Sequence, residues 1–462
     1  MEVRSKRHLR VRAPFDCEKG LPYTEVVTSQ GRLENCAPIE TIGRNVFPYF
    51  SNMNLHTLKI IRRFPKILEI VARRLNVPGS YSNNEEYSVE KIQVDSLIVG
   101  SGIAGLVSLD NTKNGFMITN SVYTDFFDDP LNLGSPILEK LKDIIKSNNE
   151  RILVGDFLGK FNEGYLIRHS NKLILVTPKK LIFAVGARYL PPIFEGNDYP
   201  NVISRRLYLK RKSSYEKVIV LGSTDDAIKT GLVAKSKVLT PKSTKLFSRS
   251  FVERAESTGI EIEEVEHIKV RRTGKKLEVL WDKGSTIVDA VVFAPVKQPR
   301  LESIANSECG YKYYPNLGVY LPDHEMDGYM RSCGHFVVGG ARGIWDEELS
   351  FLSGETPFNP DASSEINAKI KDTPLRNFYT RDFVAISSPY LYSNAGYACF
   401  CEDVLWKDVL MSQSMGYKDV EMVKRVAGIG LGECQGKVCT YVVGSILNSE
   451  KLITFRSPLL PL

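Results

Sequence analysis

Four cysteines near the C-terminus have the spacing of a metal site. Cys399 and Cys401 form a Cys-x-Cys pair, and after 32 further residues Cys434 and Cys439 form a Cys-x4-Cys pair. Close pairs of thiolates that folding brings together make a four-sulfur site, and this arrangement suits a [2Fe-2S] cluster and hence electron transfer. Glycines around the second pair let the backbone wrap closely around sulfur and direct N–H groups toward it.

Two other interpretations of these cysteines are open. A structural Zn²⁺ also accepts four sulfur ligands, although zinc sites use Cys-x2-Cys pairs more often than Cys-x-Cys. The thiols could also carry no metal. The remaining cysteines occur singly, so we expect them to be reduced residues of a cytoplasmic protein, with no assigned function: Cys17, Cys36, Cys309 and Cys333.

Apolar residues around the cysteines recur at helical spacing in three segments, 404–410, 420–426 and 438–447. This pattern predicts a small, mainly helical domain that holds the four thiolates. Nearby basic residues would offset the negative charge of a four-thiolate cluster, unless they are simply solvated: Lys407, Lys424, Arg425 and Lys437.

The bulk composition is that of a globular protein with two or three domains. The chain has 462 residues, of which 43% are hydrophobic and 25% charged. The net charge of +7 is spread along the chain without aromatic-interleaved basic motifs, so we expect no nucleic-acid partner. No stretch approaches the roughly 18 apolar residues of a membrane span.

Residues 94–106 read as an apolar strand, a glycine-rich turn and the start of a helix, which is the dinucleotide-binding fingerprint. Gly100 permits the tight turn, Gly102 lets a pyrophosphate approach the backbone, and Gly105 allows the helix to pack on the strand. The helix N-terminus then faces the phosphates. The candidate nucleotide-binding residues of this turn are Gly100, Ser101, Gly102, Ala104 and Gly105.

Two later segments complete this nucleotide frame. An apolar strand at 181–184 leads into Gly186 and Ala187 at a predicted crossover, and residues 335–341 contain Gly339 and Gly340. We predict that all four small residues line the same cofactor site.

A second nucleotide-type turn lies between these segments, at 217–227. Only Gly222 of the three fingerprint glycines is present, and Asp225 and Asp226 would oppose a pyrophosphate. We interpret this segment as an NAD-type domain that has lost tight NAD(P) binding.

Together these motifs resemble the α subunit of heterotetrameric sarcosine oxidases and of heteromeric dye-linked proline and opine dehydrogenases. The resemblance covers roughly residues 92–450 and rests on the order of the motifs. Its last part resembles bacterioferritin-associated ferredoxin, with Cys399 to Glu402 opening the domain and Cys434 to Cys439 closing it.

The resemblance implies cofactors and partners. It implies a β subunit that carries its own FAD and the substrate chemistry, so no catalytic residue is expected in this chain. It also implies FMN at a subunit interface and small ferredoxin-like subunits.

Two positions depart from the family pattern. The second strand ends at Asn120, where an FAD-binding fold has Glu or Asp for the adenosine ribose, and Gly339-Gly340 replaces a Gly-Asp whose carboxylate contacts the ribityl chain of the flavin. The cofactor expected in this frame is therefore FAD or another adenine nucleotide.

The sequence thus predicts an α/β fold with two Rossmann-like FAD/NAD(P)-type domains, one inserted in the other, and a helical iron–sulfur domain. The predicted boundaries are 1–90 for an N-terminal region, 91–205 with 285–375 for the FAD-type domain, 206–284 for the inserted domain, 376–395 for a linker and 396–452 for the [2Fe-2S] domain. The predicted function is an electron-transfer α subunit of a flavin-dependent amino-acid or amine oxidase or dehydrogenase. A standalone NAD(P)H-dependent flavin and iron–sulfur reductase and a non-catalytic scaffold with structural zinc are the alternatives.

Overall fold

The computed structural model describes most of the chain from residue 89 onward. The described residues are 25–28, 31–34, 89–119, 125–161, 163–169, 172–199, 201–242, 246–274, 276–370, 388–400, 402–431 and 435–455. Most of the predicted N-terminal region, as well as Asn120, Cys401 and Cys434, lies outside them.

Strands and helices are interspersed along the described residues up to 370, and helices predominate in those after 405. The strands are β1 (Glu25–Thr28), β2 (Gly31–Glu34), β3 (Val89–Val99), β4 (Gly115–Thr119), β5 (Ile152–Phe161), β6 (Gly164–His169), β7 (Lys172–Phe183), β8 (Ala187–Tyr189), β9 (Val202–Ser204), β10 (Val218–Gly222), β11 (Val238–Pro241), β12 (Ile262–Val265), β13 (Ile268–Thr273), β14 (Lys276–Trp281), β15 (Gly284–Val288), β16 (Ala290–Ala294), β17 (Lys297–Pro299), β18 (Tyr311–Tyr314), β19 (Val319–Pro322), β20 (Tyr329–Met330), β21 (His335–Val337), β22 (Tyr397–Cys399) and β23 (Val404–Leu405). The α-helices are α1 (Ile103–Asp110), α2 (Asp125–Asp128), α3 (Pro136–Ser147), α4 (Arg205–Arg211), α5 (Asp225–Ala234), α6 (Arg249–Ser257), α7 (Glu302–Ala305), α8 (Glu347–Glu355), α9 (Pro360–Ile370), α10 (Trp406–Ser414), α11 (Val420–Ala427) and α12 (Cys439–Leu447). Single 3₁₀ turns lie at Pro130–Asn132, Asn149–Arg151, Lys212–Ser214 and Gly339–Arg342.

The first sheet is built around β3. Its strand order is β20-β21-β7-β3-β4-β5-β6, and β3 runs parallel to both of its neighbours, β4 and β7. Leu97 and Ile98 are fully buried, as expected for a central parallel strand that is covered on both faces. The carboxyl end of β3 leads through the glycine-rich turn into α1, which begins at Ile103.

The second sheet has the parallel order β12-β11-β10-β16-β9. All of its strands lie in sequence between β7 and β21, two adjacent strands of the first sheet. One Rossmann-like unit is thus inserted into another, and the predicted α/β fold class is confirmed.

The C-terminal cysteine domain consists of a hairpin, β22 with β23, and the helices α10, α11 and α12. The apolar runs at 420–426 and 438–447 form helices as predicted, whereas the run at 404–410 begins as β23 and becomes helical at Trp406. Cys399 and Cys439 belong to the same hydrophobic core as the strands of the first sheet. The cysteine domain is therefore packed against the nucleotide fold.

Backbone pairing reinforces this packing. The Ile193 N–H donates to the Tyr390 carbonyl at 2.7 Å, and the Tyr392 N–H donates to the Ile193 carbonyl at 3.0 Å. Tyr390 and Tyr392 belong to the predicted linker at 376–395, of which the structure describes 388–395. Its described end is paired with the crossover segment that follows β8.

A buried asparagine completes the docking. The Asn197 amide accepts from the Tyr397 N–H at 2.9 Å and donates to the Tyr397 carbonyl at 3.0 Å. The side chain thus pairs with the strand β22 as a neighbouring strand would. Because β22 ends at Cys399, Asn197 fixes the approach to the first cysteine pair.

The expectation that Cys309 and Cys333 are reduced was wrong. The two residues form a disulfide, with their Cα atoms 5.0 Å apart. Cys309 directly precedes the β18 hairpin and Cys333 lies in the turn between β20 and β21, so tertiary packing brings them together. The cytoplasmic location was inferred from cysteines that occur singly, and this pair no longer supports that inference. The location itself stays a prediction. Within the described ranges, no helix has the length and apolar character needed to span a membrane.

Gly396 tests the docking of the cysteine domain. A Cβ atom there would lie 2.3 Å from the Phe194 carbonyl oxygen, and its φ of +129° is unfavourable for other residues. We expect Gly396→Ala to lower the free energy of unfolding by about 3 kcal/mol or more, because backbone strain and overpacking each cost about 1–3 kcal/mol.

Gly416 provides the control. Its φ of +94° is also positive, but an added Cβ would meet no atom within 4 Å. Gly416→Ala should therefore cost only about 1 kcal/mol. Urea denaturation followed by tryptophan fluorescence measures both, and equal losses would contradict the described docking.

Candidate functional site

A cleft opens at the carboxyl end of β3, where the glycine-rich turn leads into α1. An added Cβ at Gly105 would lie 2.1 Å from the Gly100 carbonyl oxygen, so only glycine permits this close packing of helix on turn. At Gly102, by contrast, a Cβ would meet no atom within 4 Å, because this residue faces open space. The first N–H groups of α1 are thus accessible to an anion in the cleft.

The predicted nucleotide-binding residues converge on this cleft. Apart from Asn120, which lies outside the described residues, all of them line it: Gly100, Ser101, Gly102, Ala104, Gly105, Gly186, Ala187, Gly339 and Gly340. Their role in binding stays a prediction, but folding brings three distant segments of the sequence to one place.

Sequence reasoning missed several residues of the same cleft. Thr119, the last residue of β4, lines it and shares a 2.9 Å hydrogen bond with the Ser101 hydroxyl. The basic residues of the cleft come from two separate segments, with Arg205 and Arg206 at the start of α4 and Lys297 and Arg300 in and directly after β17. Guanidinium and ammonium groups suit phosphate, but no spacing in the sequence connects them.

Asp226 is neutralised by its surroundings. Its carboxylate accepts from the Tyr189 hydroxyl at 2.7 Å and pairs with the Lys297 ammonium at 2.8 Å. Burial by itself would raise the pKa of Asp226, but the nearby cations, chiefly Lys297 and Arg205, hold that pKa well below its usual range. The carboxylate is therefore ionised and compensated, and the expected repulsion of a pyrophosphate is much reduced.

The degenerate turn of the inserted domain is closed by its own chain. The Leu246 N–H donates to the Ser223 carbonyl at 2.7 Å, and the Ser248 N–H donates to the Asp225 carboxylate at 2.7 Å. The segment after β11 thus pairs with the backbone of the Gly222 turn. In an intact Rossmann fold this turn faces the nucleotide.

Residues after the Gly339-Gly340 segment join the two nucleotide folds. Asp346 caps α8 by accepting from the Leu349 N–H at 2.9 Å. The neighbouring Glu347 pairs with Lys229 of α5 at 2.6 Å, across the boundary between the two sheets.

The two-stranded β8–β17 ribbon separates this cleft from the cysteine domain. It pairs Ala187 with Pro299, Arg188 with Gln298 and Tyr189 with Lys297. Successive side chains of a strand point to opposite faces. Ala187 and Lys297 line the cleft, whereas Arg188 donates from Nη1 to the Lys437 carbonyl at 2.7 Å, inside the segment between Cys434 and Cys439.

Two of the predicted metal ligands lie within the described residues. Cys399 ends β22, Cys439 begins α12, and both are 1% exposed. The strand β22 and the helix α12 contact each other, so Cys399 and Cys439 belong to adjacent elements. The N-terminus of α12 favours negative charge on a thiolate at Cys439.

The backbone beside the second pair turns sharply. Gln435 and Gly436 both have positive φ, 51° and 78°. Lys424 and Arg425, predicted to offset cluster charge, lie 3.8 and 3.6 Å from the Glu421 carboxylate. Glu421 thus accounts for at least part of their charge. Of the four predicted ligands, Cys399 and Cys439 are thus buried on adjacent elements, and Cys401 and Cys434 lie outside the described residues.

Comparison with known proteins agrees with this architecture. Residues 393–461 match the family model of the sarcosine oxidase A3 domain. The structure is similar to L-proline dehydrogenase from P. horikoshii, with a TM-score of 0.59 and 21% identity over 82% of this chain and 80% of that one. Thioredoxin reductase from T. acidophilum aligns with a TM-score of 0.46 and 12% identity, over 60% of this chain and 99% of that one. No curated protein sequence matches this chain significantly.

The domain match and the fold confirm the predicted resemblance to sarcosine oxidase α-type subunits. At 21% identity the structural likeness establishes the fold.

The Asp226 network makes stability depend on pH. Because its folded-state pKa is lowered, the contribution of Asp226 is fully present above the unfolded value of about 3.9 and is lost as the pH falls below it. Asp226→Asn should cost about 3 kcal/mol at pH 7, where it leaves buried cations uncompensated, and progressively less below about pH 4.

Asp323→Asn is the matched control. Asp323 pairs with Lys312 at 2.7 Å, but both side chains are about half exposed. Its loss should cost at most about 1 kcal/mol. Urea denaturation between pH 3 and pH 7 compares the two, and a cost of Asp226→Asn that does not change with pH would contradict the assignment.

Proposed function

We propose that this chain is the electron-transfer α-type subunit of a heteromeric, flavin-dependent amino-acid or amine oxidase or dehydrogenase, of the sarcosine or proline type. The four predicted ligands, Cys399, Cys401, Cys434 and Cys439, hold a [2Fe-2S] cluster. The division into an FAD-type domain, an inserted NAD-type domain and a cysteine domain is part of this proposal.

One observation carries the proposal: the nucleotide cleft and the cysteine loop lie on opposite faces of the β8–β17 ribbon. Ala187 lines the cleft, and the adjacent Arg188 contacts the backbone between the second pair of cysteines. A redox centre and a nucleotide site placed back to back in this way suit electron transfer over a short distance. A purely structural metal site would not need this placement.

The residues of the chain have distinct roles in this account. The buried thiolates provide the ligand set, and the positive-φ loop at Gln435 and Gly436 wraps the backbone around it. When bound there, a [2Fe-2S] cluster supplies one-electron transfer. Apolar packing around Cys399 and Cys439 excludes water from the sulfur atoms.

The cleft binds an adenine nucleotide in this proposal, either FAD or a smaller one. The α1 N-terminus and the basic side chains, including Arg206 and Arg300, favour the phosphates. The described end of β4 offers a hydroxyl at Thr119, and Gly340 offers no carboxylate. The adenine and phosphate contacts are thus better supported than those to a flavin.

Substrate oxidation is assigned to a partner. By family resemblance the partner is a β subunit with its own FAD, with FMN at the subunit interface and small ferredoxin-like subunits as further components. The match of residues 393–461 to the sarcosine oxidase A3 domain supports this assignment.

The alternative of a standalone NAD(P)H-dependent reductase is less well supported. The segment with Leu246 and Ser248 is bonded to the Gly222 turn, on which a nicotinamide dinucleotide would lie, and only Gly222 of the three fingerprint glycines is present there. Metal analysis distinguishes the proposal from the other alternative, a scaffold with structural zinc, because the scaffold would contain zinc without sulfide.

Serine variants test the metal site. The purified full chain should contain about two irons and two sulfides, with an EPR signal after dithionite reduction. Cys399→Ser and Cys439→Ser should each lose that signal. The double variant Cys309→Ser/Cys333→Ser, which removes the disulfide instead, should retain it. Zinc without sulfide in the wild-type chain would sink the redox proposal in favour of the scaffold.

Gly340 tests which nucleotide the cleft prefers. A Cβ there would make ordinary contacts, 3.4 Å to the Ala187 nitrogen and 3.5 Å to the Gly186 Cα, so a side chain fits. Gly340→Asp restores the family carboxylate and should tighten FAD binding about tenfold, since a charged hydrogen bond contributes about 1.5–3 kcal/mol.

Equilibrium titration with FAD and with ADP provides the comparison. ADP lacks the ribityl chain, so its affinity should not rise in the variant. Equal changes for both ligands, or weaker binding of FAD alone, would contradict the proposed orientation of the nucleotide.

A further inference from the structure

We propose that Arg188 is a positioning residue for the cysteine site, holding the loop between Cys434 and Cys439 in the geometry that ligates metal. This inference rests on the proposed iron–sulfur function. The Arg188 Nη1 atom donates to the Lys437 carbonyl at 2.7 Å. Lys437 is two residues before Cys439, so this bond fixes the middle of the loop from outside the cysteine domain.

A buried carboxylate orients the guanidinium. Arg188 donates from Nη2 to Glu302 Oε2 at 2.7 Å, and the two side chains are only 3% and 7% exposed. Two N–H groups of the planar guanidinium thus have fixed acceptors in positions that suit a forked donor. The Arg188 head cannot turn away from the loop without breaking a buried, charge-assisted hydrogen bond.

The same carboxylate also holds the helix that follows the loop. The Tyr441 hydroxyl donates to Glu302 Oε1 at 3.3 Å, and Tyr441 is fully buried on α12, the helix that begins at Cys439. The network therefore contacts both the loop and the helix on either side of the last ligand. Residues that orient metal ligands in this way commonly change metal affinity 10- to 100-fold when they are replaced.

Gln298 distinguishes positioning from domain docking. It lies opposite Arg188 on the ribbon, is 1% exposed, and forms hydrogen bonds of 3.0 and 2.7 Å with the backbone N–H and carbonyl of Tyr320. Its partner Tyr320 belongs to β19 and docks against the cysteine domain, where its hydroxyl donates to the Ser449 carbonyl at 2.6 Å and its ring lies 6.1 Å from that of Tyr441. Gln298→Met therefore removes buried hydrogen bonds that support this docking while it leaves the Arg188–Lys437 bond in place.

The experiment uses the anaerobically purified full chain and two readouts: the rate of iron loss to a chelator and the EPR line shape of the reduced chain. Arg188→Lys keeps the positive charge beside Glu302 but has one ammonium in place of the two-armed donor. Arg188→Gln/Glu302→Gln replaces the ion pair by neutral amides. Both should lose iron about tenfold faster and show an altered line shape. Gln298→Met should lower the melting temperature while both readouts stay at wild-type values.

Two results would overturn the inference. One is wild-type iron loss and line shape in both Arg188 variants, and the other is an equal change in Gln298→Met, which would reduce Arg188 to a docking residue. The wild-type iron and sulfide content tests the proposed function separately. If the wild-type chain contains the cluster but neither iron loss nor line shape changes in the Arg188 variants, only this inference fails. If the wild-type chain contains no iron and sulfide, both this inference and the proposed function fail.

Discussion

The ion pair between Arg188 and Glu302 is buried between the nucleotide cleft and the cysteine loop. Taking two charges out of water is costly, and such a pair is stable only if further hydrogen bonds satisfy its remaining polar atoms. The Lys437 carbonyl and the Tyr441 hydroxyl contribute these bonds. Because both belong to the cysteine domain, the Arg188–Glu302 pair has these hydrogen bonds only when that domain is docked. The relative position of cleft and cysteine loop follows from this requirement.

On the other face of the ribbon, the buried carboxylate of Asp226 is compensated by the Lys297 ammonium. Tyr189 and Lys297, which pair across the ribbon, both contact Asp226 of the inserted domain. The ribbon is thus held by an ionised carboxylate on the cleft side and by an ion pair on the cysteine side. A short element of six residues links the two nucleotide folds and the cysteine domain, and its side chains alternate between the two faces.

Local motifs were predictable from the sequence because their chemistry is contained within a few consecutive residues. The glycine-rich turn at Gly100 requires a strand before it and a helix after it, and both are present as β3 and α1. The helical periods at 420–426 and 438–447 also gave the correct elements. The run at 404–410 did not, because Val404 and Leu405 pair with β22 to close a hairpin before the helix can begin.

Residues that act through distant partners were not predictable. Arg205 reaches the cleft from α4, whereas Lys297 and Arg300 reach it from the β17 segment, and Asn197 meets Tyr397 across 200 residues of chain. The Cys309–Cys333 disulfide joins two turns whose proximity depends on the packing of the β18 hairpin against the first sheet. None of these contacts has a spacing or period, so a single sequence carries no signal for them.

The most direct measurement is an anaerobic crystal structure of the full chain, with anomalous diffraction recorded on both sides of the iron absorption edge. The account predicts iron peaks among Cys399, Cys401, Cys434 and Cys439, on the face of the β8–β17 ribbon opposite the cleft. It also predicts that the Arg188 guanidinium remains bonded to the Lys437 carbonyl. Anomalous signal only at the zinc edge, or a cysteine domain detached from the ribbon, would contradict it.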